Sequence, residues 1–219
     1  MSEMDELTFV ARDVESAYLN QQRAHERFLA SSGAISTLVK RASNEGGGKV
    51  GIGGTGLEAT TGRAREVTYD ISDPFAQALL LRTSVEDRGL LRALGQAKRG
   101  EYVEVTGESC YRHSSLPEAQ WHTSNNCAPA DELEQWREGA EQLRAPFNEA
   151  GGPSVYLLMI QLPGGSRAAA LAGRTNINDT VIPRQFHRPW TTFGTLEEEQ
   201  VGDTPLITPI YSVVDYPVD

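Results

Sequence analysis

The spacing of apolar positions changes character along the chain. Residues 7–10, Leu7-Thr8-Phe9-Val10, form a short β-prone run that predicts a first strand. From Val14 onward Ala17, Tyr18, Gln21, Ala24, His25, Phe28 and Leu29 recur at steps of three and four. That rhythm predicts an amphipathic helix, with the Asp13 carboxylate placed to cap its first free amides. Ile35, Leu38 and Val39 extend the pattern as a second helical piece to about Ala42. Residues 65–69 read as extended. Ser72-Asp73-Pro74 then marks a helix start, since proline in the first turn loses no hydrogen bond. Phe75, Ala78, Leu79 and Arg82 continue that helix, and Leu90, Leu91 and Leu94 predict another after Gly89.

Beyond Gly100 the period shortens. Tyr102-Val103-Glu104-Val105-Thr106 alternates and is rich in β-branched residues, which predicts a strand. Asp131 caps a predicted helix carrying Leu133, Trp136, Ala140 and Leu143. Residues 154–162 are the most hydrophobic stretch, bounded by Gly151-Gly152-Pro153 and Pro163-Gly164-Gly165. A run that short, between such breakers, reads as a central core strand. Residues 168–174 return beside it as a hairpin partner, and 191–196 and 207–214 supply two more strands. The order predicts an α+β chain, with a helical N-terminal half packed on a mainly antiparallel, β-rich C-terminal half. The expected subdomains are 1–107 and 108–219.

Composition narrows the functional classes. The chain has 219 residues, with 20 Lys and Arg against 30 Asp and Glu, a net charge of −10. No basic stripe offsets that charge, so the expectation is no nucleic-acid partner. No apolar run reaches the roughly 18 residues of a membrane span. The acidic start, Met1-Ser2-Glu3-Met4-Asp5-Glu6, has no apolar core of a secretory signal, so the expected location is cytoplasmic, with reduced thiols.

Glycine dominates residues 43–62. Gly51-Ile52-Gly53-Gly54-Thr55-Gly56 fits a dinucleotide fingerprint, with Asp70 at the distance of a ribose-binding acid. That chemistry needs a strand before the glycines and a helix after them, to set a pyrophosphate on helix amides. Glu45-Gly46-Gly47-Gly48 precedes and Ala59-Thr60-Thr61-Gly62 follows, so both contexts fail. Val50 after Lys49 likewise stands where a P-loop requires Ser or Thr. The segment reads as a connector or a glycine-weakened hairpin.

Two clusters carry candidate chemistry. Cys110, His113, His122 and Cys127 form C-x2-H-x8-H-x4-C, the donor types of a closed structural zinc site. The same residues also admit a Cys110–Cys127 disulfide, or no shared role. No cofactor is expected unless that zinc site forms. Arg184, His187, Arg188 and Trp190 combine positive charge with aromatics, and Arg174 lies nearby in sequence; together they suit an anionic ligand. The plainer reading makes this an exposed loop whose Trp190 plugs into the core. Glu197-Glu198-Glu199 reads as a solvated edge. No G-x-S-x-G or H-E-x-x-H motif is present, and no catalytic residue is assigned.

The opening Phe9-Val10-Ala11-Arg12-Asp13-Val14-Glu15-Ser16-Ala17-Tyr18-Leu19-Asn20-Gln21 resembles that of a group of bacterial proteins of unassigned activity. Those share a short strand, an acidic turn and a Ser-Tyr-Leu-x-Gln-like helix, with Ala17 here where the group tends to have Ser. A glycine-rich segment, a strand resembling residues 100–107, and a late β portion around Ala172-Gly173-Arg174 and Trp190-Thr191-Thr192-Phe193-Gly194 follow in the same order. The resemblance implies a layout and no activity.

The functional expectation is a non-enzymatic binding or regulatory module that engages a protein partner or small ligand through its loops, since odd side chains concentrate there. A homo-oligomer is compatible with it. One alternative is an enzyme acting on a small anionic, nucleotide-like substrate through Arg174, His187 and Arg188. Another is a zinc-stapled interaction domain.

Overall fold

The computed structural model describes residues 8–12, 14–38, 66–113, 138, 143, 155–178 and 189–215. In chain order these form β1 (Thr8–Arg12), β2 (Val14–Leu19), α1 (Gln21–Ala30), helical residues 32–38 (α2), β3 (Glu66–Asp70) and α3 (Pro74–Asp87). There follow β4 (Leu91–Arg92), a 3-10 turn (Leu94–Gln96), β5 (Tyr102–His113), β6 (Val155–Gln161), β7 (Arg167–Gly173), a 3-10 turn (Arg174–Asn176), β8 (Pro189–Val201) and β9 (Thr204–Asp215). The chain is α+β, as expected. Its N-terminal half, among the described residues, interleaves β1 to β4 with its helices. Among the described residues, no helix is long and apolar enough to cross a membrane.

Contacts divide the chain into two units, Met1–Glu15 with Gln21–Leu90 and Asp215–Asp219, and Ser16–Asn20 with Leu91–Val214. The expected boundary after Gly107 lies inside β5.

In the first unit, β1 and β3 pair antiparallel, Thr8 opposite Asp70 and Arg12 opposite Glu66. α3 begins where the sequence places it. The Asp73 carboxylate accepts the amides of Phe75 at 2.6 Å and Ala76 at 3.2 Å, with Pro74 in the first turn. Residues 76–82, Ser84 and Val85 are all buried, so α3 presents no solvated stripe and sits as an interior helix. Its buried Arg82 pairs with Glu86 one turn on. α1 buries Ala24 and Phe28 and reaches α3 through His25 Nδ1, 3.0 Å from Gln77 Oε1. Asp73→Ala removes the cap of this interior helix and is expected to cost about 1 kcal/mol. Thermal unfolding should read that as a fall of roughly 2–4 °C.

The second unit is built on a closed barrel. Around it the strands run β5, β6, β7, β9, β8 and back to β5. Each neighbouring pair is antiparallel except β7 and β9, which run parallel at Ala169–Leu206 and Ala170–Ile207. This is the Greek-key connectivity of an OB-type barrel. β5 serves two partners, pairing with β8 over 102–108 and with β6 over 108–113. The change of partner falls at Glu108, next to Gly107. A Cβ at Gly107 would overlap the Gln161 carbonyl, whose carbon would lie 2.8 Å away. Gly194 plays the same part in β8, beside a register shift against β9; a Cβ there would come within 2.9 Å of Pro209 Cα.

Ladder partners share a face, so the registers identify the interior. Val103 and Val105 of β5, Ile160 of β6, Ala168 of β7 and Ile207 of β9 form one buried cluster, joined by Leu196 of β8. Leu94, Ala97 and Leu162 pack against this cluster. A second cluster holds Leu158, Ala170, Ala172, Trp190 and Val214 together with Ala17 and Tyr18 of β2. A five-stranded barrel is narrow, which is why alanine and glycine alternate with the larger interior side chains. Two short strands complete the ladders. β4 runs parallel to the start of β5, Leu91 opposite Tyr102. β2 lies beside β9. Around it the Asn20 amide donates to the Ile210 carbonyl and the Asn178 amide to the Ala17 carbonyl, both at 2.9 Å. β2 thereby supplies a partner for the part of β9 that β7 does not reach.

Two expectations need correction. The helix predicted from Val14 with an Asp13 cap is a strand up to Leu19, and helix begins at Gln21. Ala17 and Tyr18 are buried against the barrel, and that tertiary pairing outweighs the helical spacing. The helix predicted around Leu90–Leu94 is instead β4 and a 3-10 turn: Gly89, at φ 62°, follows the end of α3, and Leu91 and Arg92 pair with β5. Glu197-Glu198-Glu199, read as a solvated edge, lies in β8 with Glu198 exposed. Glu197 accepts the Thr208 hydroxyl and Glu198 pairs with Arg99 at 2.5 Å. The predicted helix over 131–143 and the glycine segment 43–62 lie outside the described residues, apart from Glu138, which is helical, and Leu143. The core strand expected at 154–162 is β6, with Leu158, Met159 and Ile160 each at most 1% exposed.

Candidate functional site

Strand direction gives the barrel two unlike ends. At one end the connections are short. β6 turns into β7 through Leu162–Ser166, closed by the Leu162 amide on the Ser166 carbonyl at 2.9 Å. β8 turns into β9 through Gly202 and Asp203 alone. At the other end lie His113, where β5 stops, Val155, where β6 starts, Gly173, where β7 stops, and Pro189, where β8 starts. The long connections 114–154 and 174–188 therefore both attach at that end. The candidate residues fall within or beside these segments of the sequence. Cys110 and His113 belong to the last turns of β5's ladder, His122 and Cys127 to the first connection, Arg174, Arg184, His187 and Arg188 to the second, and Trp190 to the first residues of β8. His122, Cys127, Arg184, His187 and Arg188 lie outside the described residues.

Trp190 takes the plainer of its two readings. It is 1% exposed and packs in the barrel with Leu158, Ala170, Ala172 and Val214, so it is a core side chain. Arg174 opens the 3-10 turn that follows β7.

Cys110 is fully buried and disulfide-bonded. The sequence holds two cysteines, which makes Cys127 its partner. Sulfur in a disulfide is not the thiolate that zinc requires, so the four-donor set exists only in a reduced chain. Strand geometry bears on the set as well. Positions 110 and 113 both lie in β5, and a separation of three in a strand places them on opposite faces, about 10 Å apart. The C-x2-H spacing would chelate from a turn. Among the described residues no group of three His, Cys, Asp or Glu side chains is placed to hold a metal.

A feature absent from the sequence reading is the outer face of β5, β8 and β9. Tyr102 stacks on Phe193 with centroids 5.6 Å apart and planes 6° from parallel, and Phe193 meets Tyr211 at 5.5 Å. The Tyr211 hydroxyl donates to Glu104 Oε2 at 3.4 Å, and the hydroxyls of Thr106 and Thr191 lie 2.8 Å apart. The signal was the period-two placement of 102/104/106 and 191/193/195, which becomes a ladder only when the two strands are known to pair. Phe193 and Tyr211 are fully buried, so this band stabilises the sheet. Inside the barrel, Thr192 and Ser212 hydrogen-bond at 2.8 Å, while the buried Ser109 hydroxyl has no partner among the described residues.

OB-type barrels receive oligonucleotides or oligosaccharides on the outer face of the strands equivalent to β6 and β7. Here Met159, Ala169 and Leu171 on that face are 1%, 0% and 2% exposed. In this chain those positions of the face are therefore buried. Searches of known protein families, curated proteins and solved structures give no match to this chain.

Proposed function

We propose that the chain is a binding module without catalytic activity, which engages a protein partner or small anionic ligand through the connections at one end of its barrel. The observation that carries this reading is the polarity of the barrel. Its interior is filled by side chains, its other end has tight turns, and both long connections leave together. A rigid barrel holding variable connections at one rim is a common arrangement for recognition. Arg184, His187 and Arg188 fall in one of those connections and supply its positive charge within an acidic chain.

Thermal unfolding with a panel of nucleotides, sugar phosphates and inorganic phosphate tests the ligand form. A ligand at 100 times its Kd stabilises by about 2.7 kcal/mol, which is roughly 5–11 °C here. The shift should vanish in Arg184→Ala/Arg188→Ala, with the unliganded transition unchanged. Conversion of an added nucleotide to product would replace this reading with the enzymatic one. No response to any anion would leave only the protein-partner form, which co-purification from the native cells then decides.

A further inference from the structure

Cys110 stands opposite Met159 in the β5–β6 ladder, in the middle of a hydrogen-bonded strand, and its side chain has no exposed surface. Cys127 is the one other cysteine of the sequence, so the bond closes the loop 110–127. We propose that this disulfide is a permanent structural cross-link formed during folding, and that the protein works under oxidising conditions rather than in the reducing cytoplasm its sequence suggests.

Three features carry the proposal. First, the Cys110 sulfur is fully buried, so a thiolate reaches it only when the cover over that side chain opens, whereas labile and regulatory disulfides are exposed or strained. Second, a thiol-based sensor pairs an accessible, acidic cysteine with a resolving one. This chain has two cysteines, both consumed in one bond, and no third thiol to exchange with. Third, the competing use of the same sulfurs, as zinc ligands, needs Cys110 and His113 in a turn, and both lie in β5. Formation is a two-electron oxidation. The Cys110 and Cys127 thiols each release a proton, the S–S bond forms, and the electron pair reduces a disulfide oxidant, protein or low-molecular-weight, to two thiols.

The decisive measurement is the redox state in the cells that make the protein from its own gene. These are quenched in acid, free thiols are blocked with N-ethylmaleimide in denaturant, and the protein is then reduced and labelled with a heavier maleimide. The heavier label on both cysteines is expected; N-ethylmaleimide on both overturns the proposal. On purified protein, phosphine reductant should open the bond readily in denaturant and slowly in buffer, and equal rates would refute burial as its protection. Cys110→Ser/Cys127→Ser should unfold about 6–12 °C below the parent, from the lost constraint on an unfolded loop of this size. If that variant does not fold, the reduced wild-type chain gives the same comparison. An unchanged transition after reduction, or its full recovery on adding one equivalent of zinc, would each overturn the structural role.

Discussion

Trp190→Ala is expected to lower stability by about 3–5 kcal/mol, among the largest losses any single truncation in this chain can cause. The indole is 1% exposed and fills the barrel between Leu158, Ala170, Ala172 and Val214. Its neighbours on β7 are alanines, too short to collapse into the space it leaves. The cavity therefore persists, and persistent cavities add their own cost to the lost burial. Urea unfolding should show a lower midpoint with an unchanged slope. Trp190→Phe keeps most of the volume and should fall between the two. If Trp190 lined a ligand site, truncation would instead weaken ligand response and leave the midpoint in place.

Adding a single methyl group should be as damaging at two glycines. Gly107→Ala and Gly194→Ala each drive a Cβ into the backbone of a neighbouring strand, Gln161 in the first case and Thr208 and Pro209 in the second. Flexible side chains can step aside, but a hydrogen-bonded ladder cannot do so without giving up its register. A loss of about 3 kcal/mol or more is expected, or failure to fold. Gly202 offers the control. It turns β8 into β9 at φ 60°, with nothing within 4 Å of an added Cβ, so Gly202→Ala meets conformational strain alone. That costs about 1–2 kcal/mol. Equal losses at Gly107 and Gly202 would refute the close-approach account.

Legibility in the sequence followed the range of the forces involved. The start of α3 was readable, because Asp73, Pro74 and the first free amides interact within one turn. β6 was readable from its length and flanking glycines and prolines, and β7 followed from the hairpin between them. β2 was misread because Ala17, Tyr18, Gln21 and Ala24 keep helical spacing, while the choice of strand is made by β9 at the far end of the chain. Barrel closure was invisible for the same reason: nothing local says that 102–108 pairs with 189–195. Of the candidate site, the residue types were apparent and the attachment of both long connections at one barrel end was not, since that follows from strand order. Trp190 could be assigned to the core only once Ala170 and Ala172 were found beside it.

The place of β2 has a consequence for biosynthesis. Tyr18 leaves a ribosome about 190 residues before the backbone it borders, around Ile210 of β9. That segment must therefore wait, its aromatic side chain undocked, until β9 has emerged. Pairings that distant in sequence are slow to form, because the intervening chain must first be brought around. A nascent chain halted before residue 204 would hold an unsealed seam between β7 and the absent β9, open to proteases and to chaperones that grip exposed hydrophobic segments.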